Sequence, residues 1–329
     1  MKMFYEKDTD VNLIKEKKIA IFGYGSQGHA HALNLRDSGV KVIVGAREGG
    51  SSEQQAKEDG FNVFSIQEAV KNTDIIAILL PDQVMAKAYD ESIAQNLSTG
   101  QTLQFAHGYN IHYGKIVPPK DIDVMMVAPS GAGKMVRQEF EKGSGVPNLI
   151  AIHQDYSGSA FDMALSYSKA IGGTRSAAFK STFKEETETD LFGEQTILTG
   201  GLPKLLQSSF KVLLERGYSP VVAWFVCYYE LKTIVDMFHQ NGFEYLNNAI
   251  SDTAEYGGIT RGKRVINESV ENEMRHILKE IQSGDFHKEW QKESENNFPM
   301  LTSLRKEEKQ IAIEEIGQLL LKDIFSKNN

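Results

Sequence analysis

Cysteine is nearly missing from this chain: Cys227 is the one example in 329 residues. That excludes an internal disulfide framework. Long apolar runs are missing too. The strongest, from Ile75 to Leu80, is far too short to span a bilayer. Positive charge is in deficit, with 36 Lys and Arg against 44 Asp and Glu and a formal net charge of −8. A nucleic-acid surface is therefore not expected. No internal repeat, low-complexity segment or flexible linker interrupts the chain. The first residues alternate charges (Lys2, Glu6, Lys7, Asp8, Asp10) and hold no apolar signal core. The expectation is a cytoplasmic protein without a membrane partner.

What is present begins with length, which suggests two domains with room for real cores. Residues 18–22 read as a short buried strand running into glycine. Gly23, Tyr24, Gly25, Ser26, Gln27 and Gly28 then open a helix that runs to about Asp37. This is GxGxxG in its required context, strand before and helix after. The spacing serves a tight turn, close backbone approach to a pyrophosphate, and amide donors at a helix N-terminus. A glycine turn chosen only for helix–strand packing is the alternative.

The second strand, Val40 to Gly45, bears on the cofactor. Dinucleotide folds selective for NAD place an acid at its end. Here Arg47, Ser51 and Ser52 follow, groups suited to a 2′-phosphate through charge-assisted hydrogen bonds, with Glu48 opposing them. NADPH is expected over NADH. Further strands are expected at Asp74–Leu80, Gln101–Ala106, Asp123–Ala128 and Asn148–His153, with a helix near Ser159–Ile171. The Gln101 strand delivers His107 and Gly108 at its C-terminal end, where open α/β sheets bind ligands. A histidine that merely closes a loop is the bland reading. Residues 128–134 superficially suggest a phosphate loop. It lacks the leading glycine, and Met135 stands where a metal-binding Ser or Thr belongs, so a nucleotide triphosphatase is rejected.

Past the middle, five carboxylates fall within ten residues: Glu185, Glu186, Glu188, Asp190 and Glu194. If helical, Asp190 and Glu194 lie one turn apart on one face. Two carboxylates aimed at one point repel unless a cation or proton lies between them. A solvated acidic helix start is the alternative, since acids suit the helix dipole there. Leu191 and Phe192 inside the run argue for burial of one side. Glu230, on a later apolar helix, is a third carboxylate in need of a partner. From Phe183 the periodicity is helical: Gln195 to Gly217, Pro220 to Gln240, and on to Phe325.

The run from Thr182 to Gln195 resembles the metal-binding signature of the ketol-acid reductoisomerase family, and the resemblance extends from Phe22 to Gly284. It implies an α/β fold, with a Rossmann-type NADP-binding domain at 1–182 and an all-helical, knotted domain at 183–329. It further implies Mg²⁺ held by Asp190, Glu194 and Glu230, with Glu230 supplied by the partner of a homodimer. His107 becomes the active-site histidine, Ser251 a substrate contact, and Asp82 and Gly133 neighbours of the cofactor. Two positions depart from the family pattern: Ser130 replaces a lysine and Val226 replaces a glutamate, while Lys134 takes a histidine position. Two Mg²⁺ ions about 4 Å apart repel by roughly 16 kcal/mol gross at an effective dielectric near 20, so a lost carboxylate matters. One firm Mg²⁺ site is expected. The expected activity is NADPH-dependent reduction of a 2-keto acid or related carbonyl or imine, with isomerisation weakened or lost. The alternatives are the ordinary branched-chain biosynthetic enzyme, and a non-catalytic NADPH-binding dimer.

Overall fold

The computed structural model describes residues 2–325. The chain divides into two compact units between Thr189 and Asp190. The first is built on nine strands: β1 (Met3–Phe4), β2 (Lys18–Phe22), β3 (Lys41–Gly45), β4 (Val63–Phe64), β5 (Ile75–Ile78), β6 (Thr102–Phe105), β7 (Asp123–Pro129), β8 (Asn148–Gln154) and β9 (Ala178–Lys180). Their order is β1-β9-β8-β7-β6-β5-β2-β3-β4. From β4 to β7 all neighbours pair in parallel, whereas β8 runs antiparallel to β7 and β1 antiparallel to β9. Ile19, Ala20, Ile21 and Phe22 of β2 are fully buried. Such a continuous apolar run belongs to a parallel strand covered on both faces. Each fully buried Ile or Phe contributes about 1.5–3 kcal/mol.

Among the helices, those that bear on the site are α1 (Ser26–Asp37), α2 (Ser51–Glu58), α3 (Gly133–Glu141), α4 (Ala160–Ala170) and α5 (Phe183–Gly193), the last of which runs across the boundary between the units. The turn into α1 is dictated by contact distances. A Cβ on Gly28 would stand 1.7 Å from the Gly23 carbonyl oxygen, and one on Gly23, at φ +92°, 2.4 Å from that of Leu79. Direction reverses at β2, which has β5 on one side and β3 on the other. The GxGxxG turn thus opens at the switch point beyond the C-terminal strand ends, where dinucleotides bind.

The second unit is helical. A π-type turn at Glu194–Leu198 leads to α6 (Gly201–Glu215), a short helix at Pro220–Trp224, another π-type turn at Phe225–Tyr229, then α7 (Leu231–Ala249) and α8 (Asp252–Val265). The continuous helices expected over Gln195–Gly217 and Pro220–Gln240 are therefore each interrupted. Glu230 donates its amide to the Phe225 carbonyl, five residues back, at 3.0 Å. Periodicity alone does not separate this register from an α-helix, because both keep one face apolar. Phe210, Ala223, Trp224 and Ile313 form a small core.

Candidate active site

The loop after β6 carries His107 and Gly108 onto α5. A Cβ on Gly108 would lie 2.5 Å from the Thr187 hydroxyl and 2.7 Å from the Phe183 carbonyl oxygen, so only glycine permits this approach. The close docking lets Glu186 reach two groups at once. One oxygen lies 2.9 Å from His107 Nδ1, and the other accepts the Gly108 amide at 2.8 Å. Glu186 is 5 % exposed and His107 21 %. A carboxylate only accepts, so Nδ1 carries the proton and Nε2 is left as the acceptor nitrogen of the ring. Two residues further along α5, Glu188 lies 3.6 Å from His112 Nε2. Burial, outweighing that carboxylate, keeps His112 below the usual histidine range.

Asp190 occupies the next turn of the same helix after Glu186. Ligand atoms of His107, Glu186 and Asp190 all lie within 4.8 Å of one another, the one such His, Cys, Asp or Glu cluster among the described residues. Glu194 follows Asp190 by a further turn, where the helix passes into the π-type segment. Segments of this kind recur at functional sites. Glu230 stands exposed at the start of α7, and Ser251 caps α8, its hydroxyl accepting from the Ala254 amide at 3.3 Å. Glu186, which reading by spacing did not single out, belongs to the His107 cluster. A signal existed: Glu186 and Asp190 are four residues apart, as are Asp190 and Glu194.

The dinucleotide side is equally plain. Gly23 to Gly28 form the turn, and Gln27 donates to the Gly131 carbonyl at 2.9 Å. Tyr24 gives its hydroxyl proton to Asp59 at 2.8 Å, and burial together with that carboxylate raises its ionisation above the usual range. A Cβ on Gly133 would stand 2.0 Å from the Ser26 carbonyl oxygen, so this glycine is required for packing α3 against α1. Asp82 begins the helix after β5 and accepts from the Asn110 side chain at 3.4 Å. Arg47 is exposed, and Ser51 and Ser52 form the first turn of α2. Ser130 is exposed just past β7, Lys134 in the first turn of α3 is exposed as well, and Val226 is 54 % exposed.

These residues fit both implied groups. The glycine turn with Arg47 and two hydroxyls matches a phosphorylated dinucleotide, and the acidic α5 end offers the oxygen donors Mg²⁺ takes. Residues 13–177 match the family profile described as acetohydroxy acid isomeroreductase, NADPH-binding domain. Residues 183–325 match ketol-acid reductoisomerase, C-terminal domain. The chain is 50% identical over 319 residues to "Ketol-acid reductoisomerase (NADP(+))" of Clostridioides difficile (strain 630), covering 97% of each. It is 49% identical over 317 residues to the protein of that name from Petrotoga mobilis, covering 96% of each. Among solved structures, an NADH-preferring ketol-acid reductoisomerase from an uncultured archaeon superposes with a TM-score of 0.95. The two share 40% identity, over 99% of this chain and 100% of that one.

Proposed function

Because the chain belongs to the ketol-acid reductoisomerase family, we propose that it catalyses the complete family reaction, converting 2-acetolactate to 2,3-dihydroxyisovalerate with NADPH. The sequence alone put reduction first and treated migration as weakened. Near-end-to-end identity of about half to enzymes named for both half-reactions favours the complete reaction. The carrying observation is the Glu186–His107 pair beside Asp190, at the C-terminal end of the sheet.

In this reading the Gly23–Gly28 turn receives the pyrophosphate at the α1 N-terminus, and Arg47, Ser51 and Ser52 take the 2′-phosphate. Asp190 and Glu194 hold Mg²⁺. Glu186 is already engaged with His107 and Gly108, and adds negative charge beside them. A bound divalent cation would supply Lewis-acid polarisation of the ketol oxygens, and NADPH the hydride. Held by Glu186 in one tautomer, His107 exchanges a proton with the substrate through Nε2. A second copy of the chain contributes Glu230 and Ser251. Support comes from the apolar side chains exposed around Glu230, among them Val222 and Tyr229.

Ser130 and Val226 favour a second reading, in which alkyl migration is slow. Neither residue supplies the positive or negative charge that the family's pattern has at those positions. The test follows NADPH oxidation with Mg²⁺ and two substrates, 2-acetolactate and the already migrated 3-hydroxy-3-methyl-2-oxobutanoate. Comparable turnover of both is expected. Turnover of the second alone would select the slow-migration reading, repairable by Val226→Glu with Ser130→Lys. Turnover of neither would discard both.

A further inference from the structure

The first turn of α2, just past the loop from β3, holds an anion where the cofactor reading places another. Gly50, the residue before α2, has no side chain to cap the helix. Glu53, in the first turn, reaches back instead, and one of its oxygens accepts the Gly49 amide at 2.5 Å. The other oxygen is held by Lys57 at 2.5 Å. Its side chain is only 18 % exposed, so the carboxylate is fixed rather than swinging in solvent. The Lys57 contact, and then the Gly49 amide, keep its ionisation below the usual carboxylate range, so it is charged at neutral pH. Ser51 and Ser52 share this turn. Among the described residues the Arg47 side chain makes no hydrogen bond or ion pair. Arg47 in the loop therefore stands ready for a ligand, while Lys57 of α2 is neutralised by Glu53.

We infer that Glu53 sets the margin by which this protein prefers NADPH to NADH: its fixed carboxylate opposes the 2′-phosphate but not the neutral ribose hydroxyl of NADH. The inference rests on the reading that Arg47, Ser51 and Ser52 receive the 2′-phosphate. A glutamate reaching back over a helix start is also an ordinary cap. The two roles separate by charge: a cap needs only an acceptor oxygen, whereas repulsion needs the negative charge.

Glu53→Gln keeps the acceptor for the Gly49 amide and removes the charge. NADPH and NADH are titrated separately against the full-length protein without Mg²⁺, following nicotinamide fluorescence. Glu53→Gln should tighten NADPH by about three- to tenfold, leave NADH within about twofold, and lose most of the gain at high salt. No change, an equal change for both cofactors, or a loss confined to NADH would overturn the inference. Arg47→Ala is run in parallel and should weaken NADPH by about tenfold or more while sparing NADH. If Arg47→Ala spares NADPH, the underlying phosphate reading fails. If it behaves as expected while Glu53→Gln changes nothing, only the role of Glu53 fails.

Discussion

The two units solve burial in opposite ways. In the first, apolar side chains lie inside and most polar groups among them are paired, although His31 Nε2 and Gln104 Oε1 are buried without a hydrogen-bond partner. His31 Nδ1 meets the Tyr167 hydroxyl at 2.9 Å, and the Asn34 amide reaches the Ile171 carbonyl at 3.1 Å while its oxygen accepts from Arg137 at 2.8 Å. In the second, large apolar side chains stand in the open, with Phe243 69 %, Tyr256 67 % and Val222 58 % exposed. A sheet covered by helices closes its own core, whereas a few helices around Trp224 leave apolar faces without cover. An open apolar surface of this kind marks an interaction site. The lesson is a division of labour: one unit is finished by its own chain, and the other keeps an apolar face that the proposed second copy would cover.

The strongest way to break this contrast is to charge the open face. Phe243→Asp or Val222→Asp should weaken self-association by about 30-fold or more, as at an interface hot spot, and abolish turnover. NADPH affinity, a property of the first unit, should hold. On a surface that stays in solvent the same changes would cost under about 0.5 kcal/mol. Sedimentation velocity decides, and an unchanged sedimentation coefficient in both variants would remove the second copy from the account.

A smaller effect sharpens the line within the active site. Glu186→Gln should lower kcat by about 100-fold, a typical loss for misplaced acid–base chemistry, and shift the pH profile by altering the His107 tautomer. Asp190→Asn should instead raise the Mg²⁺ concentration needed for half activity. Equal, pH-independent losses in both variants would mean that Glu186 serves only to dock the loop.

The smallest effect tests the closed core. Burial lowers His31 to about 3, against an ordinary value of 6.5. A neutral buried histidine contributes stability that is complete above 6.5 and declines as pH falls toward 3. The slope approaches about 1.4 kcal/mol per pH unit, or roughly 2 kcal/mol between pH 6.5 and 5. Hydrogen exchange of amides in α1 should accelerate accordingly. His31→Asn, which keeps a partner for Tyr167, should flatten that dependence. Identical pH slopes in the two proteins would refute the assignment.

Much of this was legible from residues in order. The glycine turn, β2 and α1 lie where spacing puts them, because a turn this tight admits only glycine at Gly23 and Gly28. The Ser159–Ile171 helix appears as α4, shortened by a residue at each end. The antiparallel β8 and the two-residue edge strands β1 and β4 were not legible: such short segments carry no period, and strand direction is set by partners far away in sequence.

The acidic run shows where the division falls. Its chemistry was written in the sequence: crowded carboxylates with an apolar pair among them must find cations, protons or donors. Which carboxylate finds which partner was not. With five acids in ten residues, spacing groups Glu186, Asp190 and Glu194 on one face of a helix but does not say which of them meets His107. The choice is made by Gly108, whose missing side chain brings the β6 loop against α5 and sets His107 and a backbone amide within reach of Glu186. Local sequence determines turns and charges, because these depend on each residue's own stereochemistry. Pairing across 79 residues of chain is decided by the packing of the folded unit, which alone fixes distances between them.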